Sequence, residues 1–121
     1  METFIGVGVD EARAFAERWL PAWTGNNPDQ LLAFYSNDAY YSDPTVPNGI
    51  QGHEALRGYF VKLLRRNPDW RWTQTRSIPM LNGFVNFWHA HVPVENGRSV
   101  DIAGVCLVHL RDGLIVRNEV F

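Results

Sequence analysis

The run FVNFWHAHVPVENGRSVDIAGVCLVHLRDGLIVRNEVF, residues 84–121, decides the architecture. Three β-rich segments are separated by Asn96-Gly97 and Asp112-Gly113. Such dipeptides tolerate the positive φ angles of a tight turn and are the strongest short-range hairpin signal. A further pair, Asn82-Gly83, joins DWRWTQTRSIPM to the same series, so the spacing predicts four consecutive strands. In the third of these, Val100, Ile102, Gly104, Cys106, Val108 and Leu110 share one face by strand alternation. That face is apolar throughout and reads as the inner one. Asp101, Ala103, Val105, Leu107 and His109 make a mixed outer face.

Upstream, the apolar period changes from two to that of a helix. Asp10 stands where an N-cap belongs, ahead of Ala12, Phe15, Ala16, Trp19, Leu20 and Trp23. Pro21 lacks a backbone donor and predicts a kink or an end there. Asn27 caps a second, short helix with Pro28 in its first turn and Gln30 three residues on. Residues 39–43 read as a strand and the Pro/Gly-rich stretch after them as a loop. GHEALRGYFVKLLRR, residues 52–66, is a third amphipathic helix. The expected order is α-α-β-α-β-β-β-β, an α+β domain over residues 10–121 with a lead-in over 1–9.

Composition narrows the function classes. The 121 residues are 45% apolar and 13% aromatic, which suits one packed domain. A net charge of −2 with scattered arginines argues against nucleic acid or anionic membrane as a partner. RRNPDWRWTQTR, residues 65–76, mixes arginine with tryptophan, but alternation buries Trp70 and Trp72 on one strand face. Cys106 is the single cysteine, so no internal disulfide forms and CxxC motifs are absent. Neither a signal sequence nor a spanning segment is read, and a cytoplasmic setting is expected.

The element order, with FYSNDAYYSDP (34–44), GHEALRGYF (52–60) and LRDGLIVRNEVF (110–121), resembles the nuclear transport factor 2-like superfamily. Within it the chain is most similar to the SnoaL-like group of polyketide cyclase relatives. The resemblance implies a cone: three N-terminal helices on a strongly curved, mostly antiparallel sheet that encloses an apolar pocket. It also implies a homodimer through the outer sheet face, in keeping with the Ala103, Val105, Leu107 run.

Asp43 is the first chemical candidate. It shares a strand face with Tyr41 and precedes Pro44, as does the proton-shuttling carboxylate of ketosteroid isomerases in this superfamily. A carboxylate beside apolar walls gains a raised pKa and becomes a usable base. Equally, Asp before Pro is a common turn starter whose oxygen satisfies local backbone donors. The resemblance puts Trp19 and Cys106 where those isomerases keep an oxyanion-binding tyrosine and acid, so steroid isomerisation is not expected. The positions of the epoxide hydrolase carboxylates hold Phe87-Trp88-His89 and Val120, which argues against that chemistry too.

His89 and His91 project from one face with Val85 and Phe87, and the resemblance turns that face toward the pocket. There they are candidate proton donors, acceptors or positioning groups. A metal would need further ligands at suitable spacing, and none is evident. The expected set is therefore Asp43, His89 and His91 for catalysis, with Trp19, Tyr41, Phe60, Phe87, Cys106, Asn118 and Val120 touching a ligand. The ligand is expected to be small, largely apolar and carbonyl-bearing. The chemistry would be a cofactor-free, metal-free isomerisation, cyclisation or dehydration; the alternative is a non-catalytic ligand-binding or dimerisation module with the same fold.

Overall fold

The computed structural model describes residues 8–121. The lead-in expected over residues 1–9 lies outside them except for Gly8 and Val9. Helix α1 (Val9–Trp19) leads into a 3-10 turn (Leu20–Trp23) and helix α2 (Pro28–Leu32). Strands β1 (Tyr35–Asp43) and β2 (Val46–Gln51) follow, then helix α3 (His53–Arg66). Strands β3 (Arg71–Met80), β4 (Gly83–Pro93), β5 (Ser99–Arg111) and β6 (Leu114–Val120) complete the chain. No helix among the described residues is long and apolar enough to cross a membrane.

The six strands form one sheet in the order β2-β1-β6-β5-β4-β3. All neighbours are antiparallel except β1 and β6, which run parallel. Bulges at Gln74/Arg76 and His109/Leu110 interrupt the ladders, and such irregularities bend a sheet and increase its twist. On the concave side, α1 lies along β3 and β4, and α3 against β1 and β2. The core joins Ala12, Phe15, Ala16 and Trp19 of α1 to Leu56, Phe60 and Leu64 of α3 and to Phe84, Val108 and Ile115 of the sheet.

Several local expectations are modified. Helix α1 starts one residue before Asp10, behind an extended Gly8. Asp10 and Glu11 therefore sit in the first turn and complement the helix dipole in place of capping it. Asn27 does cap α2, accepting a hydrogen bond from the Gln30 backbone N–H at 3.2 Å. Strand β1 begins at Tyr35, four residues earlier than expected from its sequence. The Pro/Gly stretch holds β2, a strand the composition hides. Pro47 is tolerated because β2 is an edge strand, where a missing donor breaks no ladder. At Asp112-Gly113 both residues have positive φ, 54° and 79°, which gives the expected two-residue hairpin.

Candidate functional site

Pro21 is the local cause of the site's first wall. Without its N–H the α-helical ladder stops at Trp19, and the chain tightens into the 3-10 turn that buries Trp23. The Trp23 carbonyl accepts the indole N–H of Trp70, and the Thr24 hydroxyl donates to the Trp70 carbonyl at 2.6 Å. These bonds tie the turn to the start of β3. Trp23 then meets Trp19 at 6.2 Å between ring centroids and Trp72 at 6.0 Å. Trp72 packs edge-on against Trp88 at 4.6 Å. Such edge-to-face and tilted pairs add to the burial of large rings and fix their orientation.

Between the helices and the concave sheet face lies a cavity of about 330 Å³. All five tryptophans of the chain, Trp19, Trp23, Trp70, Trp72 and Trp88, are on its wall. Trp88 has room because Gly104 stands directly opposite it on β5, and a Cβ there would run into the indole. Tyr41, Cys106, Asn118 and Val120 also line the cavity, and Asp43 stands at the edge with Pro44 and Thr45.

Asp43 is held by five donor contacts. Its Oδ2 accepts the hydroxyls of Tyr41 at 2.7 Å and Tyr59 at 2.6 Å. Its Oδ1 accepts the Thr45 N–H at 2.8 Å, the Thr45 hydroxyl at 2.5 Å and the Val46 N–H at 3.1 Å. A carboxylate offers about four lone-pair sites, so this one is fully occupied. Partial burial pushes its pKa up, but the Thr45, Tyr59 and Tyr41 hydrogen bonds outweigh that and hold it below the ordinary value. The raised pKa expected of a base is thus reversed. Burial pushes the Tyr41 phenol well up, with the neighbouring Asp43 charge adding to it, and burial with the Asp43 hydrogen bond pushes Tyr59 up to about 12.

The deep end carries polar groups without partners. Asn118 is fully buried; its Nδ2 donates to the Tyr35 hydroxyl at 3.1 Å, and its Oδ1 has no partner. The indole N–H groups of Trp19 and Trp72 are also buried and unpartnered. Buried polar atoms normally find partners, and these three have none among the described residues. Cys106 is a buried thiol, and burial pushes its pKa up to about 12. It is protonated and unreactive at neutral pH.

The candidate residues divide accordingly. Trp19, Tyr41, Asp43, Cys106, Asn118 and Val120 come together around one cavity. Phe60 does not touch it; it packs behind the wall, 5.4 Å from Trp23 and 5.6 Å from Tyr41 between ring centroids. Phe87, His89 and His91 do not reach it either. The buried face of β4 is Phe84, Asn86, Trp88 and Ala90, so the odd-numbered residues point to the outer side of the sheet. There His91 Nδ1 lies 3.0 Å from Asp101 Oδ1, and His89 Nε2 lies 3.5 Å from the same oxygen. Both imidazoles are more than two-fifths exposed, which separates them from any chemistry in the cavity. Among the described residues no cluster of three or more His, Cys, Asp or Glu is placed to hold a metal. Trp23, Trp70, Trp72 and Trp88 are further wall residues that no motif marks, and the number of tryptophans in so short a chain is their signal in the sequence.

An α+β domain whose bent six-stranded sheet and helices flank one aromatic cavity is the class defined by this geometry. The family model described as SnoaL-like domain matches residues 16–118, and the chain belongs to that family. No curated protein is similar enough in sequence to count as a match. A SnoaL-like protein of unknown function from Burkholderia thailandensis is similar in fold, with a TM-score of 0.79 and 18% identity over 96% of this chain and 97% of that one. A Catenulispora acidiphila protein of ketosteroid isomerase-like fold, solved with trimethylamine, gives 0.77 and 18% over 88% and 83%. A Mycobacterium tuberculosis protein solved with estradiol-17beta-hemisuccinate gives 0.73 and 18% over 91% and 92%.

Proposed function

We propose that this SnoaL-like domain is a small-molecule-binding protein that holds a largely apolar ligand in the tryptophan-walled cavity. The observation that carries the reading is the convergence of all five tryptophans on one cavity of about 330 Å³. Concave, apolar, aromatic walls with a few convergent polar atoms are what ligand sites offer. The unpartnered Trp19 and Trp72 N–H groups and Asn118 Oδ1 suit a ligand carrying a carbonyl or hydroxyl. Two proteins of similar fold hold small molecules, trimethylamine in one and estradiol-17beta-hemisuccinate in the other.

The same reading favours binding over turnover. To act as a base, Asp43 would have to shed a donor and accept a proton that its environment disfavours. The experiment uses N-phenylnaphthylamine, a neutral probe that fluoresces in apolar surroundings. Saturable one-to-one binding is expected, weakened at least tenfold in Gly104→Val, whose side chain pushes Trp88 into the cavity. The absence of saturable binding to the native protein contradicts the reading. The acid/base alternative would regain its place if a bound carbonyl compound were turned over by the native protein and not by Asp43→Asn at unchanged affinity.

A homodimer through the outer sheet face is part of the proposal. Val105 and Leu107 lie beside Val85 and Phe87 on that face, an apolar patch across β4 and β5. Light scattering should give twice the monomer mass for the native chain and the monomer mass for Leu107→Glu. A native monomer at high concentration rules the dimer out.

A further inference from the structure

Taking the cavity as a ligand site, we propose that its occupant carries a quaternary ammonium group, seated among the aromatic rings on the Asp43 side. The charge inventory of the wall is the starting point. Asp43 is the one charged side chain lining the cavity, and no Arg, Lys or His joins it among the described residues. Around it the wall is aromatic: five indoles and the Tyr41 phenol. Ring faces carry negative quadrupole density and attract cations, most strongly where water is excluded. An anionic ligand would meet both the carboxylate and the ring faces with the wrong sign.

The kind of cation follows from the hydrogen bonds. Both Asp43 oxygens are already occupied by Tyr41, Tyr59, Thr45 and Val46 donors. A primary ammonium brings three N–H groups into the cavity and would have to displace one of those donors. A quaternary ammonium has no N–H and asks for no lone pair, yet it is still attracted by the carboxylate charge that remains after those hydrogen bonds. It is also weakly hydrated, so desolvation opposes its entry less than that of a primary ammonium. Tyr41, the phenol on the cavity wall, donates to the carboxylate, and this donation enriches its ring electrons. The Tyr41 hydrogen bond that helps hold Asp43 ionised thus also improves that ring as a cation acceptor.

The test compares two probes that differ in one atom and one charge, benzyltrimethylammonium and neopentylbenzene. Each is used to displace N-phenylnaphthylamine from the native protein. Benzyltrimethylammonium should displace the probe at roughly tenfold lower concentration than its carbon isostere, within the range of cation–π contacts in desolvated sites. Asp43→Asn should narrow that ratio, and the native-protein comparison decides the matter even if the variant folds poorly. If neopentylbenzene displaces the probe equally well or better, the ammonium assignment is wrong while the cavity remains a ligand site. If the probe itself does not bind, both fall together.

Discussion

Trp23→Ala should lower the unfolding free energy by about 3–5 kcal/mol, the range seen for deleting a buried aromatic side chain. Trp23 is 5% exposed and is the hub of the aromatic cluster. Its ring stands within 6.3 Å of the Trp19, Tyr41, Phe60, Trp70 and Trp72 rings, between centroids. Removing it takes away those contacts and merges the space it filled with the existing cavity, so the walls cannot collapse onto the gap. The loss should appear as a lower urea midpoint with the slope unchanged. Trp23→Phe, which keeps a ring at the hub, should recover a large part of it. A change under about 1 kcal/mol for Trp23→Ala would mean that the cluster does not support the fold as described.

Asp43→Ala should cost about 2–3 kcal/mol, because it leaves the Tyr41 hydroxyl buried without an acceptor and releases the Thr45 and Val46 N–H groups of the turn. The effect is tied to pH by linkage. The folded pKa of Asp43 lies below 3.8, so on acidification the unfolded chain takes up the proton first. The stability contributed by the carboxylate is therefore present above that value and lost as pH falls through the folded pKa. Urea titrations of native protein and Asp43→Asn should differ most at neutral pH and converge on the acid side of 3.8. A difference that grows on acidification would mean that Asp43 has the raised pKa of a general base.

The hairpin signals and helical periods made most of the fold legible, and the exceptions have definite causes. Strand β2 was hidden because Pro47 and Gly49 are loop-forming in composition, while an edge strand asks little of them. The face of β4 is opposite to the one the resemblance implies, and turn length decides it. A two-residue turn at Asn96-Gly97 sets Glu95 opposite Arg98 and so pairs odd positions with even ones. With the even face of β5 inward, that register turns His89 and His91 inward as well. The loop is instead the three residues Glu95–Gly97, and Pro93 pairs with Ser99, so odd meets odd along the whole ladder. One residue in the turn exchanges the two faces of a strand. Asp43 shows a different limit. The DP motif points to Asp43, which lines the cavity, but its protonation depends also on Tyr59, sixteen positions away on α3, whose hydroxyl no strand pattern could bring to it.

The claim on which the functional account turns is that the five-tryptophan cavity is where a ligand sits. Nitrogen-labelled protein gives one indole N–H resonance per tryptophan, and every one of them reports on that wall. Titration with N-phenylnaphthylamine should shift or broaden the indole resonances while the backbone amides of His89 and His91 on the outer face stay in place. Indole resonances that do not move, with shifts confined to the outer sheet face, would contradict it.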